Sequence, residues 1–380
     1  MPHPNAIVSV PRRLEPTLDQ APADLLRQAR GLAVELDDGR LVRLDPRNPR
    51  SPGFAQVLDG LSRQRLPAYL ELDPETGSLV RLLIPHYTRV QALRDIGGGS
   101  LAVELERSHG RHLLDRHHPD FASMEALLLD ALADRSALVV TEDDAHHILD
   151  VRRVAPGPDQ TPWPSLKPEW PPRRREPLGW LDRLWHRIRH WLIWRRWWWW
   201  WRCLSPRRAQ EVFDRLAATT CNPLSVPPPC IPFLYPDDGC WGRAHEMCRL
   251  MLDIGLSPRK VWIEGNLRAS TRNNPNCQVF WGWHVAPTLC VRRGGFWWFR
   301  TRRLVFDPAL FTTPVTQETW KSAQGDPGST LTASDAEIFY LWGMVTDPSY
   351  VETQAVLATY RLQLQNRSLT QGPPPYAHCG

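Results

Sequence analysis

The feature that most constrains this chain is the run Ala155 to Pro172, APGPDQTPWPSLKPEWPP. Proline fixes φ and has no N–H to donate, so such a run can be neither helix interior nor central strand. It reads as a stiff, extended linker, and whatever folds must do so on either side of it. A 380-residue chain is long enough for two or three cores, which fits a division at this point.

Upstream, the strand-like run Leu32-Ala33-Val34-Glu35-Leu36 recurs as Leu101-Ala102-Val103-Glu104-Leu105. Ala68 to Leu72 and Ala137 to Thr141 align at the same offset, and the Leu58-Asp59-Gly60-Leu61 stretch is echoed by Leu129 to Leu132. Each unit reads as two strands, a helix and two strands, the last pair joined by turns at Pro74 to Gly77 and at Asp143-Asp144. This predicts an α+β domain with an internal duplication over residues 30–154, after a tail over 1–29. His112, His117, His118, His146 and His147 lie in this half, near Asp120 and Asp143, without an HxxxH or HExxH spacing, and read as surface or structural histidines.

Beyond the linker (155–177) comes a segment, 178–208, of unusual composition. Leu178, Leu181, Leu184, Trp185, Ile188, Trp191 and Leu192 recur at helical steps, and the run ends in Arg195-Arg196 and Trp197 to Trp201. Eleven arginines between Arg173 and Arg208 face only Glu176 and Asp182, so the net charge of +5 is concentrated here. Such a helix suits an anionic membrane interface at 178–202, or packs its indoles on its own protein. Nucleic acid is not an expected partner, because the rest of the chain is not basic. The N-terminus shows no signal-peptide h-region and no run is long and apolar enough to span a bilayer, so a cytoplasmic protein is the default, with membrane-peripheral placement or signal-independent export left open. The eight cysteines form no CxxC pair and read mostly as buried thiols rather than a disulfide scaffold.

Chemistry is concentrated after a second proline cluster. In Asp238-Gly239-Cys240, Asp238 is a candidate N-cap, and Ala244, Met247, Cys248, Met251 and Leu252 mark one helical face ending at Gly255. Cys240 therefore falls at a helix start, where free N–H groups and the helix dipole favour a thiolate and can hold an oxyanion. Alternating stretches at Lys260 to Ile263, Val279 to Val291 and Arg303 to Phe306 read as strands of one antiparallel sheet. His284 lies in the second, and Asp307 ends the third before Pro308. A helix-start thiol, a strand imidazole and a carboxylate to orient it are the parts of a cysteine acyl-transfer site. His245 reads as a surface or structural residue, Asn266 and Arg268 as loop-shaping or substrate-contacting, and Trp281 and Trp283 as sharing the strand face opposite His284.

The series DGCWGRAHEMCRLM, GNLRAST (265–271), WGWHVA (281–286), FDPALF (306–311) and PVT followed by Trp320 resembles the bacterial protein-glutaminase, or protein deamidase, family over about residues 232–364. The resemblance implies a papain- and transglutaminase-like α+β catalytic domain, over 221–365, with a Cys-bearing helix packed on an antiparallel sheet. It is preceded by the separate α+β repeat domain and followed by a tail at 366–380. It also implies hydrolysis of glutamine side-chain amides in proteins or peptides to glutamate and ammonia, with Cys240 as nucleophile, His284 as base, Asp307 as orienting acid, and no metal or organic cofactor. Well-known members carry an inhibitory pro-region; the resemblance does not reach the first 230 residues. A transglutaminase or cysteine protease of the same fold, or a non-catalytic membrane-associated binding protein, are the alternatives.

Overall fold

In the N-terminal half, alternating apolar residues build paired strands and one amphipathic helix twice over. The first unit contains β1 (Ala6–Ser9), β2 (Pro11–Glu15), α1 (Pro22–Leu26), β3 (Leu32–Leu36), β4 (Leu41–Leu44), α2 (Ser51–Gln64), β5 (Ala68–Leu72) and β6 (Leu79–Leu83). The second contains β7 (His86–Thr88), β8 (Val90–Asp95), β9 (Leu101–Leu105), β10 (His112–Leu114), α3 (Phe121–Asp134), β11 (Leu138–Glu142) and β12 (Ile148–Arg153). This is a computed structural model, and it describes residues 5–28, 31–106, 108–154, 203–292 and 301–379. The expected linker and the Trp/Arg helix, 178–202, lie outside the described residues.

Both units have the same topology. In the first, β2-β3-β4 and β1-β5-β6 form two antiparallel three-stranded sheets; in the second, β8-β9-β10 and β7-β11-β12 do the same. Each unit thus has two more strands than its sequence suggests, and β1, β2 and α1 occupy the expected N-terminal tail. The helices supply apolar faces at three- and four-residue steps: Phe54, Val57, Leu58 and Leu61 in α2, Met124, Leu128 and Ala131 in α3. Both helices end on an arginine in the left-handed region, Arg65 and Arg135. Each unit encloses its own apolar cluster.

The C-terminal half consists of α4 (Pro206–Ala217), α5 (Cys240–Asp253), β13 (Arg259–Ser270), β14 (Gln278–Arg292), β15 (Thr301–Val305), β16 (Val315–Thr316), α6 (Gln317–Ser322), β17 (Thr330–Asp335), β18 (Ile338–Tyr340), β19 (Val345–Thr346) and α7 (Val351–Gln371). The main sheet is antiparallel throughout, in the order β16-β15-β14-β13-β17. Helix α5 packs on β14, and α7 lies against both α5 and α2. The halves therefore do not stand apart. At Gly53 and Gly60 of α2 a Cβ would run into Leu369 and Leu362, so absent side chains allow the two helices their close approach. Helix α7 runs to Gln371, beyond the boundary expected at 365.

Three disulfides tie this half together, Cys203–Cys290, Cys221–Cys230 and Cys277–Cys379, leaving Cys240 and Cys248 as thiols. The expectation of mostly buried thiols is corrected here. Two of the three pairs join residues 87 and 102 positions apart, which only the fold brings together. Among the described residues no helix is long and apolar enough to cross a membrane.

Candidate active site

Gly239, not Asp238, is the N-cap of α5, with φ at 78°. Glycine takes this left-handed conformation without strain, and any Cβ here would strike the Tyr360 ring. Asp238 Oδ1 instead accepts from the Gly239 N–H at 2.8 Å and makes no cap bond to the helix. The turn sets Cys240 at the first helical position, almost fully buried and with its thiol free. Burial pushes the Cys240 thiol well above its ordinary range, opposed by the Arg243 guanidinium and by the backbone N–H of Val285. Leu252 is 47% exposed, so the apolar face of α5 is set by Met247, Cys248 and Met251.

His284 lies on β14 beside this thiol. Its Nε2 is 2.9 Å from Asp307 Oδ2, which also accepts a hydrogen bond of 2.9 Å from Trp320 Nε1. Burial would raise the Asp307 carboxyl, but His284 and the Trp320 N–H outweigh it and hold it below its usual value. With Nε2 committed to Asp307, Nδ1 is the nitrogen left free; it makes no hydrogen bond, and a ring nitrogen of His284 is within 4.8 Å of the Cys240 sulfur. The imidazole stacks on Trp281 at 4.5 Å and on Trp320 at 5.5 Å between ring centroids. Strand alternation would put Trp281 and His284 on opposite faces. A register shift between Glu264 and Leu267 of the partner strand accompanies their stacking here. Trp320, in the quoted series but without an expected role, thus touches both His284 and Asp307.

Residues 209–324 match the family described as Glutaminase. This segment is a member of the glutaminase family. The match spans Cys240, His284 and Asp307. A mutant of pro-protein-glutaminase is similar in fold to 78% of this chain and 99% of its own, at 20% identity and a TM-score of 0.50. Protein-glutaminase from Chryseobacterium proteolyticum is 25% identical over 47% of this chain and 97% of its own, with a TM-score of 0.36. No curated protein matches the chain.

The glutaminase domain does not keep its site to itself. The loop between β9 and β10 enters from the N-terminal half and adds to the edge of β14. Gly282 N donates to His109 O at 2.9 Å, Arg111 N to Phe280 O at 3.2 Å, and Gly110 bridges Trp281. His109 N donates to Asp238 Oδ1 at 3.1 Å, and His109 Nδ1 is 3.0 Å from Trp283 O. The His109 ring lies among Trp241, Trp281, Trp283 and His284, at centroid distances of 5.2 to 6.2 Å, and is buried. Burial, then the neighbouring His284 and Arg243, push its pKa well below the ordinary imidazole value. Arg111 donates to Asn266 Oδ1 and to Gly265 O, so Asn266 meets this loop, while Arg268 bonds Gln278 on the neighbouring strand. His109 carries no motif and was not legible as a site residue.

Beneath the loop, three imidazoles converge on Glu142. His86 Nε2 is 2.9 Å and His146 Nδ1 2.8 Å from Oε1, and His112 Nδ1 bonds Oε2. His112 Nε2 holds Ser108 Oγ at 2.8 Å, at the base of the loop. Burial would raise the Glu142 carboxyl, but the three histidines hold it well below its normal value; burial would lower His146, but Glu142 pushes it up to about 9. His112 and His146 are therefore structural, while His117 and His147 are exposed. His245 is structural as well: it is buried, with Nδ1 2.8 Å from Lys260 Nζ.

Proposed function

We propose that the chain is a protein glutaminase held latent by its own N-terminal half, with Cys240, His284 and Asp307 as its triad on a papain- and transglutaminase-like core. The observation that carries this is the Cys240 thiol at the first turn of α5, within 4.8 Å of a ring nitrogen of His284, whose Nδ1 Asp307 leaves free, in a segment that matches the glutaminase family.

In the reaction, His284 Nδ1 takes the Cys240 proton and the sulfur attacks the side-chain carbonyl of a glutamine in a protein or peptide. Backbone N–H groups at the start of α5 hold the tetrahedral oxyanion. His284 returns the proton to the leaving nitrogen, the C–N bond breaks and ammonia departs. Water, deprotonated by the same nitrogen, opens the thioester to glutamate and restores the thiol. Asp307 and the Trp320 N–H fix the tautomer that leaves Nδ1 as the base.

In the intact chain no glutamine side chain reaches the sulfur, because His109 and its neighbours occupy the space over it. Cleavage between residues 154 and 203 would let the N-terminal half leave. Three disulfides in the catalytic half fit an oxidising compartment. The Trp/Arg segment, 178–202, would hold the intact chain at an anionic membrane surface; vesicle sedimentation at low and high salt tests that reading.

The deciding experiment is ammonia release from a glutamine peptide by the cleaved protein. Cys240→Ala and His284→Ala should each lower it by about 10⁴-fold or more without adding, and Asp307→Ala less. The peptide should gain about one mass unit even with a primary amine present. Amine incorporation would make it a transglutaminase, backbone cleavage a protease, and full activity of Cys240→Ala would remove the triad.

A further inference from the structure

The loop that covers the thiol does more than fill space. A ring nitrogen of His109, Cys240 Sγ and a ring nitrogen of His284 all lie within 4.8 Å of one another, and all three residues are buried. His109 Nε2 and His284 Nδ1 lack any hydrogen-bond partner. Each ring has its other nitrogen engaged: His109 Nδ1 on the carbonyl of Trp283 at 3.0 Å, His284 Nε2 on the carboxylate of Asp307 at 2.9 Å. A carbonyl can only accept, so His109 carries its proton on Nδ1, and the carboxylate holds the His284 proton on Nε2 in the same way. Two lone pairs are thereby aimed into one buried space that also contains a thiol.

A single S–H can satisfy only one of two nitrogens. The other remains a buried acceptor without a donor, an arrangement that costs free energy and that native interiors mostly avoid. A metal ion satisfies both at once. Two imidazoles and one thiolate are a zinc donor set, and histidine ligands in zinc sites characteristically have the second ring nitrogen bonded to a carbonyl or carboxylate. Asp238 Oδ1, 3.4 Å from His109 Nε2, adds an anionic oxygen beside the same space.

We propose that the latent form binds one zinc ion through His109, Cys240 and His284. With Zn–N near ~2.0 Å and Zn–S near ~2.3 Å, a tetrahedral ion holds its ligand atoms roughly 3.5 Å apart, so the side chains need to close by about 1 Å. Binding releases the Cys240 thiol proton to solvent, the sulfur coordinates as thiolate, and nothing is oxidised or reduced. The ion ties a residue of the N-terminal half to the nucleophile and base of the catalytic half. It belongs to the latent form alone, because departure of His109 leaves only two protein ligands. This inference does not rest on which amide the thiol attacks.

The test uses the full-length chain, stripped with a chelator and titrated with Zn²⁺ against a chromophoric competitor, and in parallel with Co²⁺. One ion per chain is expected, with a thiolate-to-cobalt charge-transfer band and the strong visible bands of a tetrahedral site. Cys240→Ser, close to isosteric, should abolish the charge-transfer band while thermal unfolding shows the fold intact. His109→Ala should weaken zinc binding by at least about 100-fold. His86→Ala, in the neighbouring histidine cluster, should leave zinc affinity unchanged. A band that survives Cys240→Ser, affinity indifferent to His109→Ala, or a wild-type chain that fails to compete for zinc would each overturn the proposal.

Discussion

The two units of the N-terminal half share one strand topology but differ in their connections: β2 reaches β3 through α1 where β8 reaches β9 directly, and a second difference bears on the site. In the first unit β3 passes to β4 through Asp37 to Arg40, a tight turn with Gly39 at φ 82°. In the second, the matching connection between β9 and β10 is longer, runs from Glu106 to Arg111, and enters the catalytic half. Equivalent places in a repeated scaffold have thus become an ordinary hairpin turn in one copy and a plug in the other. Strand pairing dictates the scaffold, whereas a loop is free to acquire a partner.

The widest test of that contrast is to cut the chain between 154 and 203 and follow glutaminase activity. Release should raise the rate by about 100-fold or more, since a plug held by ~3 kcal/mol leaves roughly 1% of molecules open. Shortening the β9–β10 connection to the length of its β3–β4 counterpart should give a comparable gain without cleavage. An intact chain as active as the cut one would show that the loop does not obstruct the thiol.

A second contrast separates the halves by covalent structure, since the disulfides lie in the catalytic half. Removing Cys203–Cys290, which spans 87 residues, should destabilise that half by about 4–5 kcal/mol in the chain-entropy account, against about 2–3 kcal/mol for Cys221–Cys230, which spans nine. Denaturant unfolding of the two double-serine variants measures the difference, and equal losses would contradict it.

Within the catalytic half, Trp320→Phe keeps the ring on His284 but removes the N–H to Asp307. The loss of one hydrogen bond to a carboxylate should lower kcat by about 10-fold with KM little changed. An effect confined to KM would instead place Trp320 in substrate binding.

The smallest effect concerns the contact between the halves. His146 faces Glu142 on one side, has Asp237 Oδ1 at 3.7 Å on the other, and lies near the Arg367 guanidinium and the His112 ring. Its folded pKa, about 9, lies above the unfolded value of ~6.5. Its stabilisation is therefore complete below about pH 6.5 and is lost as pH rises toward 9. The difference in Tm between the native chain and His146→Gln should be largest near pH 6 and shrink by a few degrees toward pH 9. A difference that grows with pH would reverse the assignment.

Cys240, His284 and Asp307, which the structure brings together, could be singled out as candidates because each lies in a short run whose wording and period are local: a helix start, an alternating strand, a strand end before proline. The repeat was legible for the same reason, in Leu32 to Leu36 and Leu101 to Leu105, although the preceding strands β1 and β2 were not, since their pairing partners β5 and β3 lie far along the chain or across a helix. His109 is 129 residues from the Asp238 it bonds, and nothing in Ser108-His109-Gly110-Arg111 announces a partner. The disulfides Cys203–Cys290 and Cys277–Cys379, the Glu142 histidine cluster and the α2–α7 packing at Gly53 and Gly60 share that character. Periodicity and turn chemistry are properties of neighbours in the chain, so the sequence by itself determined the candidate site residues and the strands that carry them. What covers the thiol, and which cysteines and histidines meet, depends on contacts between residues a hundred or more positions apart, and those exist only once the two halves have packed.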